Sequence, residues 1–177
     1  SGDNQTALAR VELLIATTWD CNLRCSYCFV GNRGLTKHVE PMSVNAARHI
    51  VDVLDEEFSD VETVCLHFYG GEPFCNVPAL RAMVERALTK SANKFIFAVT
   101  TNGVSATPEV IDLLDDANFG VVVSIDGPSE IHDECRKDKA GKSTHARVIK
   151  FIHELREKTS CRVRGSAVVR SGWPLVK

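Results

Sequence analysis

Three cysteines near the N-terminus are the residues whose type and spacing indicate chemistry most clearly. Cys21, Cys25 and Cys28 stand within eight residues and follow the pattern C-x3-C-x2-C. Thiolates are common protein ligands of iron–sulfur clusters and of zinc. The other four cysteines, at positions 65, 75, 135 and 161, are scattered and show no disulfide framework. The cluster of three therefore indicates a metal centre.

The number of cysteines favours a [4Fe–4S] cluster in which one iron has no cysteine ligand. Three thiolates in a short loop can ligate three of the four irons of a [4Fe–4S] cluster, which leaves one iron for an outside ligand. A cluster that only transfers electrons normally has a fourth cysteine. Two alternatives stay open on spacing alone: a zinc site with a fourth ligand from Cys65, Cys75 or His67, and a loop of ordinary cysteines.

Composition places the chain among ordinary globular domains. It has 177 residues, 44% apolar and 25% charged, which fits one domain. The 21 basic and 23 acidic residues give a net charge of −2, which excludes a globally basic nucleic-acid surface. The sequence has no apolar run of about 18 residues and no signal-peptide core. We therefore expect a cytoplasmic protein, in a compartment where clustered cysteines bind metals rather than form disulfides.

The elements that must position the cysteines alternate along the chain. Short β-rich runs predict five strands, at 11–17, 63–68, 95–99, 119–125 and 161–169. Apolar residues at helical spacing predict helices that begin near Ser43, Pro78 and Thr107, and a fourth helix follows a polar loop that runs to Ser143. This alternation predicts a parallel sheet with right-handed crossovers. It is either an open doubly wound sheet or part of a (β/α) barrel.

Each of the first four predicted strands ends at an unusual motif. The cysteine cluster follows the first strand and Gly70-Gly71-Glu72-Pro73 follows the second. Thr101-Asn102-Gly103 ends the third, and Ser124-Ile125-Asp126-Gly127-Pro128 ends the fourth. Parallel α/β folds build their active sites at the carboxyl ends of the strands. We therefore expect these four motifs to form one site.

The ordered set of motifs resembles the radical S-adenosylmethionine (SAM) superfamily. Its signature is similar to the C-x3-C-x-aromatic-C pattern here, in which Tyr27 is the aromatic residue. The later motifs, together with Ile131-His132-Asp133 and Arg136, resemble the SPASM-type branch. That branch contains anaerobic sulfatase-maturating enzymes and related peptide-modifying maturases. The resemblance covers residues 11 to 170 and implies a partial (β/α) barrel with about five parallel strands and outer helices.

The resemblance also implies a pair of cofactors. Cys21, Cys25 and Cys28 would hold a [4Fe–4S] cluster, and the amine and carboxylate of SAM would bind its fourth iron. One electron from the reduced cluster would cleave SAM to methionine and a 5′-deoxyadenosyl radical, which abstracts hydrogen from the substrate. In such reactions the protein positions the cofactor and excludes competing reactions.

Residues at the first three strand ends are implied contacts of SAM. The segment Gly70, Gly71 and Glu72 would bind the amino group, because glycine lets the backbone approach a ligand closely. An ordinary strand-to-helix turn is the alternative for the two glycines. Tyr27 is a further implied contact. Asn102 either faces the cofactor or supplies the turn after the third strand.

The remaining SAM contacts that the resemblance implies lie at the end of the fourth strand and after it. Ser124 and Asp126 are two positions apart, so their side chains point the same way and can bind a ribose diol. Turn formation is the alternative for Asp126. Arg136 can meet the SAM carboxylate with a bidentate fork, or it faces solvent. No residue of the chain is assigned as the catalytic base.

We expect residues 1–177 to form a single radical SAM core domain, truncated before the sixth strand and the cysteine-rich SPASM extension of the family. The expected partners are a peptide or protein substrate and an electron donor such as ferredoxin or flavodoxin, with no nucleic acid and no membrane. The alternative is a module that binds SAM or metal without turnover, or an isolated fragment of a larger maturase.

Overall fold

Five parallel strands form the sheet in the part of the chain that the computed structural model describes, residues 9–32, 39–90 and 94–171. Each predicted strand is confirmed, and its ends differ from the prediction by three residues at most. The strands are β1 (Arg10–Ala16), β2 (Thr63–Tyr69), β3 (Phe95–Thr101), β4 (Gly120–Ser124) and β5 (Arg162–Ser166).

Six helices are found in the same residues, and a short 3-10 turn at Pro73–Asn76 precedes the third. Four of the helices are the predicted ones, whereas α1 and α5 are additional short helices. They are α1 (Phe29–Asn32), α2 (Val44–Glu57), α3 (Val77–Lys90), α4 (Pro108–Asp116), α5 (Ser129–Cys135) and α6 (His145–Lys158).

The strand order distinguishes the two predicted architectures. The strands follow one another as β1-β2-β3-β4-β5, and every neighbouring pair is parallel. A doubly wound sheet reverses its strand order at a switch point. Here the order never reverses, and residues of α2, α3, α4 and α6 pack into one core with the sheet. The fold is therefore a partial (β/α) barrel, as predicted.

The core lies between the sheet and the outer helices. In β2, Val64, Leu66 and Phe68 are fully buried and alternate with residues that face the other side of the sheet. Phe119 stacks on Phe97 at 5.4 Å and on Phe68 at 6.0 Å between ring centroids. Burying such side chains stabilises the fold by roughly 1.5–3 kcal/mol each. This packing makes the sheet a rigid base for the loops at its carboxyl edge.

Local capping explains where two of the predicted helices begin. The Ser43 hydroxyl accepts the Ala46 N–H at 3.1 Å at the start of α2. Thr107 caps α4 through the Val110 N–H, and Pro108 takes the first helical position. Such caps satisfy backbone donors that the helix itself leaves unpaired, and proline lacks the donor that would be wasted there.

Two sequence predictions are wrong in detail. The predicted polar loop before Ser143 contains α5, a seven-residue helix whose sequence SEIHDEC shows too few apolar positions to reveal a helical period. The fifth strand ends at Ser166 rather than at residue 169. Its pairing stops there because Ser166 is opposite Ser124, the last residue of β4.

Candidate functional site

The four motifs at the strand ends lie together and are joined by hydrogen bonds. The cysteine loop follows β1, and the loops after β2, β3 and β4 surround it at the carboxyl edge of the sheet. The Glu72 carboxylate accepts the Asn102 N–H at 2.7 Å, which joins the loops after β2 and β3. The Tyr27 hydroxyl donates to Asp126, which joins the cysteine loop to the end of β4.

A short antiparallel bridge fixes the cysteine loop at its centre. Leu23, which is buried, pairs with Asp138 in the segment that follows α5. Beside this bridge the Arg24 N–H donates to the Lys137 carbonyl at 2.8 Å. The loop between the first two cysteines is therefore held by main-chain contacts, and the cysteines flank this anchor.

The three thiols of the loop are partly exposed. Cys25 affects the pKa of Cys21, and Cys28 affects that of Cys25, through electrostatic repulsion. Burial raises the pKa of Cys21 to about 12, and the nearby Glu72 and Cys25 act in the same direction. Burial also raises the pKa of Cys25; Arg136 opposes this effect and Cys28 adds to it. A thiol must lose its proton to ligate iron, so metal binding at these positions would release protons.

The three cysteines of the loop are free thiols that could ligate a metal centre. No disulfide joins any of the seven cysteines, all of which lie in the described ranges. Over those ranges, no three His, Cys, Asp or Glu side chains form a group that could hold one metal ion. Zinc requires ligand atoms about 2.0–2.3 Å from one centre. In a [4Fe–4S] cluster, by contrast, each cysteine ligates a different iron.

The three residues suggested as a fourth zinc ligand, His67, Cys65 and Cys75, do not lie in one place. Both ring nitrogens of His67 are engaged, Nδ1 at 2.7 Å from Glu12 and Nε2 at 2.8 Å from Thr100. His67 and Cys65 line a cavity of 380 Å³ on the side of the sheet away from the helices. Cys75, in contrast, is exposed beside the loop and contacts the backbone of Asn22. These positions do not favour the zinc alternative with His67.

Close backbone packing explains the two glycines after β2. A Cβ atom on Gly71 would lie 2.3 Å from the Asp20 carbonyl oxygen and 2.4 Å from that of Trp19. Gly70 has a φ of +120°, and a Cβ atom there would lie 2.7 Å from the Thr18 carbonyl oxygen. The backbone at these two residues thus lies close to the segment that leads into the cysteine loop. The sequence predicts a close approach to a ligand instead. The contact of the two glycines with SAM stays a prediction.

Glu72 is a fully buried carboxylate that joins the loop after β2 to the end of β3. It accepts the Thr101 hydroxyl and the Asn102 N–H, each at 2.7 Å, and the Phe74 N–H at 3.2 Å. Burial raises the pKa of Glu72 to about 7, although these three hydrogen bonds act to lower it. The side chain faces the protein interior, so the implied SAM contact of this residue stays a prediction.

Asn102 both makes the turn after β3 and reaches the cysteine loop. Its Oδ1 accepts the Val104 N–H at 2.9 Å, as the turn interpretation requires. Its amide nitrogen lies 2.7 Å from Asn22 Oδ1 and 3.7 Å from Cys21 Sγ. The sequence presented turn and cofactor roles as alternatives, whereas the turn contact and the contact with the cysteine loop occur together.

Asp126 and Arg136 form a buried ion pair that acts electrostatically on Cys25, the second cysteine. Arg136 Nε lies 2.8 Å from Asp126 Oδ2, and its guanidinium stacks over the Tyr27 ring. Arg136 is only 8% exposed, so the solvent-facing interpretation is wrong. Burial alone would raise the pKa of Asp126, but hydrogen bonds from Arg136, Tyr27 and the Val168 N–H lower it. Asp126 and Arg136 contact each other here, and their SAM contacts stay predictions, as does that of Ser124.

The His-Asp motif on α5 supports this ion pair. The Asp126 N–H donates to His132 Nδ1 at 3.3 Å, and the opposite ring nitrogen lies 3.0 Å from Thr144 Oγ1. Asp133 accepts the N–H groups of Thr144 and His145 at the start of α6. The motif therefore joins the end of β4 to the following two helices.

Sequence reasoning missed two side chains at the site. Asn22 lies inside the cysteine motif and joins Asn102 to Ser105. Thr101 donates to Glu72 from the last residue of β3. Asn22 is a polar residue within a motif of metal ligands, and this position was the signal that could have identified it.

Fold and site together define a class of protein. A parallel barrel segment with a C-x3-C-x2-C loop at its carboxyl edge is the arrangement implied by the resemblance to radical SAM enzymes. The model of the Radical SAM superfamily matches residues 15–169. The chain belongs to the radical SAM superfamily. The superfamily uses a [4Fe–4S] cluster and SAM, which confirms the predicted cofactors at the level of the family.

Relatives of the chain confirm the resemblance to the maturase branch. The cysteine-type anaerobic sulfatase-maturating enzyme of Clostridium novyi is 28% identical over 138 residues, 75% of this chain and 37% of the relative. The serine-type enzyme of Bacteroides thetaiotaomicron is 29% identical over 141 residues, 77% of this chain and 34% of the relative. The chain thus spans about a third of the length of these relatives.

Solved structures agree with the fold. Native anSMEcpe with bound AdoMet and the Kp18Cys peptide superposes with a TM-score of 0.77 at 27% identity, over 90% of this chain and 44% of that one. Streptococcus suis SuiB, bound to its precursor peptide SuiA, has a TM-score of 0.64 at 21% identity over 93% of this chain and 34% of that one, which shows a shared fold.

Among the described residues, no helix combines the length and the apolar character that crossing a bilayer would need.

Proposed function

We propose that the chain is the core of a radical SAM enzyme that modifies a side chain of a peptide or protein. Cys21, Cys25 and Cys28 hold a [4Fe–4S] cluster, and SAM binds beside it at the carboxyl edge of the sheet. When bound, the cluster and SAM would supply radical chemistry: one electron from an outside donor would cleave SAM to methionine and a 5′-deoxyadenosyl radical, for hydrogen abstraction from the substrate. The observation that carries the proposal is the family match over residues 15–169, which contain the three cysteines.

The residues of the chain position the cluster loop and the SAM site. The Arg136–Asp126 pair holds Tyr27, and with it the turn between the second and third cysteines. Because the two glycines after β2 let the chain pack against residues 18–20, the loops after β1 and β2 lie side by side. The backbone of Gly70 and Gly71 then binds the SAM amino group, and Ser124 at the end of β4 binds the ribose.

Relatives and structural neighbours support a peptide or protein substrate. Two relatives are sulfatase-maturating enzymes by name, and anSMEcpe has been solved with a bound peptide. The remaining partner is a one-electron donor such as ferredoxin or flavodoxin in a reducing cytoplasm. The chain spans about a third of the length of these relatives, so their substrates and reactions come to this chain only as part of the proposal.

Anaerobic reconstitution with iron and sulfide tests the proposal. We expect one four-iron cluster per chain and an electron paramagnetic resonance (EPR) spectrum of the reduced cluster that changes when SAM is added. The triple variant Cys21→Ala, Cys25→Ala, Cys28→Ala loses the iron. The control variant is Cys161→Ala, because Cys161 lies at the opposite edge of the sheet, and it should keep the iron. Bound zinc without iron, together with no spectral response to SAM, would refute the proposal.

A second assay separates an enzyme from a module that only binds. The reconstituted protein is incubated with SAM and dithionite, and 5′-deoxyadenosine is measured by chromatography. We expect this product from the wild-type protein and none from the triple cysteine variant. Cluster and SAM binding without the product would favour the non-catalytic module.

A further inference from the structure

We propose that Asn102 is a positioning residue that donates a hydrogen bond to the sulfur of Cys21 and thereby raises the reduction potential of the cluster. The inference rests on the proposed function, because it concerns a cluster held by Cys21, Cys25 and Cys28. The amide nitrogen of Asn102 lies 3.7 Å from Cys21 Sγ, within hydrogen-bonding range for sulfur.

The neighbours of Asn102 determine which end of its amide faces the sulfur. The Val104 N–H can only donate, and it lies 2.9 Å from Asn102 Oδ1. The NH2 group must therefore point the other way, where it meets two acceptors, Cys21 Sγ and Asn22 Oδ1. An amide carries two N–H donors, so each acceptor can receive its own hydrogen.

Asn102 is also held rigidly, which a tuning contact requires. The residue is 7% exposed, and its backbone N–H donates to the buried Glu72 carboxylate at 2.7 Å. Thr101 donates to the other oxygen of the same carboxylate. The donor is thus fixed to the end of β3 and the loop after β2, neither of which belongs to the cysteine loop.

A donor at this position changes the energy of an electron on the cluster. Reduction adds negative charge, which spreads onto the sulfur ligands, and a hydrogen bond to a sulfur stabilises that charge. Hydrogen bonds to the sulfurs are among the factors that set cluster potentials, and contacts beyond the ligands tune metal sites. The Leu23 N–H, at 3.4 Å from Cys21 Sγ, acts in the same sense. Removing the Asn102 donor should therefore lower the potential.

Two variants and one matched control test this inference by redox titration of the reconstituted protein, followed by EPR. Asn102→Ser keeps an oxygen for the Val104 N–H but is too short to reach the sulfur. Asn102→Asp keeps the shape but turns an oxygen toward the sulfur. We expect potentials below the wild-type value in both, with the larger shift for Asp. Asn76→Ala is the control, because Asn76 braces Thr17 and Met42 without a cysteine contact, and its potential should be unchanged.

A spectroscopic measurement gives the test a second readout besides the potential. With ¹⁵N in the side-chain amide of asparagine, pulsed EPR of the reduced cluster should show a nitrogen coupling that Asn102→Ser abolishes. Variant potentials equal to the wild-type potential, or no such coupling in the wild type, would overturn the inference and leave the cluster assignment intact. A wild-type protein that takes up no four-iron cluster would instead overturn the proposed function.

Discussion

Asp126 shows how single residues organise this site. Its two oxygens accept from Arg136, from the Tyr27 hydroxyl and from the Val168 N–H, so one carboxylate joins three segments. The pair with Arg136 is buried, and removing one partner of a buried pair leaves an uncompensated charge. The sequence identified Asp126 and Arg136 as important but assigned both to the cofactor, because their pairing depends on tertiary contacts.

Glu72 makes stability depend on pH. Burial raises the pKa of this carboxyl to about 7, from an ordinary value of 4.5. The folded chain therefore holds the proton more tightly than the unfolded chain does. The resulting stabilisation is complete below the unfolded pKa and is lost as the pH rises through the folded pKa. We expect the free energy of unfolding to fall across this window by on the order of 3 kcal/mol from this group.

Urea unfolding at a series of pH values measures this effect. Glu72→Gln should be less stable overall, because an amide cannot accept all three hydrogen bonds, and it should lose most of the pH dependence between the two pKa values. Glu109→Gln is the control, since the Glu109 side chain is 70% exposed, and it should keep the wild-type dependence. An unchanged dependence in Glu72→Gln would contradict the assignment.

Among the elements, helices that begin at a capping residue can be predicted from the sequence, whereas a helix held by contacts with distant segments cannot. Ser43 and Thr107 start their helices through their own side chains, so a short stretch of sequence suffices to predict them. Helix α5 has no such signal, because it is short and polar and is held by His132 and Asp133 through contacts with other segments. The sequence predicts that the backbone at Gly70 and Gly71 approaches a ligand closely; in the structure these residues pack against the segment before the cysteine loop, and their contact with SAM stays a prediction.

Packing of the loop after β2 against the cysteine loop predicts a clear difference between two glycine variants. A methyl group at Gly71 would lie 2.3 Å from a backbone oxygen of Asp20, so Gly71→Ala must displace one of the two loops. We expect a loss of stability of about 1–3 kcal/mol, as for other overpacked sites, and reduced iron uptake on reconstitution.

The matched variant is Gly120→Ala in β4, where the nearest atoms to an added methyl are 3.9 and 4.0 Å away. Its urea midpoint and its iron content should remain close to the wild-type values. Equal effects of the two substitutions would show that the loops do not constrain each other as the packing indicates.

Over the whole molecule, the alternation of strands and helices predicts a parallel sheet, and the resemblance to radical SAM enzymes favours the barrel over a doubly wound sheet. The positions of the motifs at strand ends predicted a single site, because parallel strands end at one edge. The hydrogen bonds that join the motifs could not be predicted, since Glu72, Asn102 and Cys21 are far apart in sequence and meet only through the packing of three loops.

In the proposed cluster, three cysteines leave one iron open to SAM, and Mössbauer spectroscopy of protein reconstituted with ⁵⁷Fe can detect that iron. Each iron of a cube contributes its own signal, so a site without a cysteine ligand can be distinguished from the other three. We predict that adding SAM shifts the signal of one iron in four and leaves the others in place. A spectrum that SAM does not change, or one in which all four irons are equivalent before and after its addition, would show that SAM does not bind an open iron.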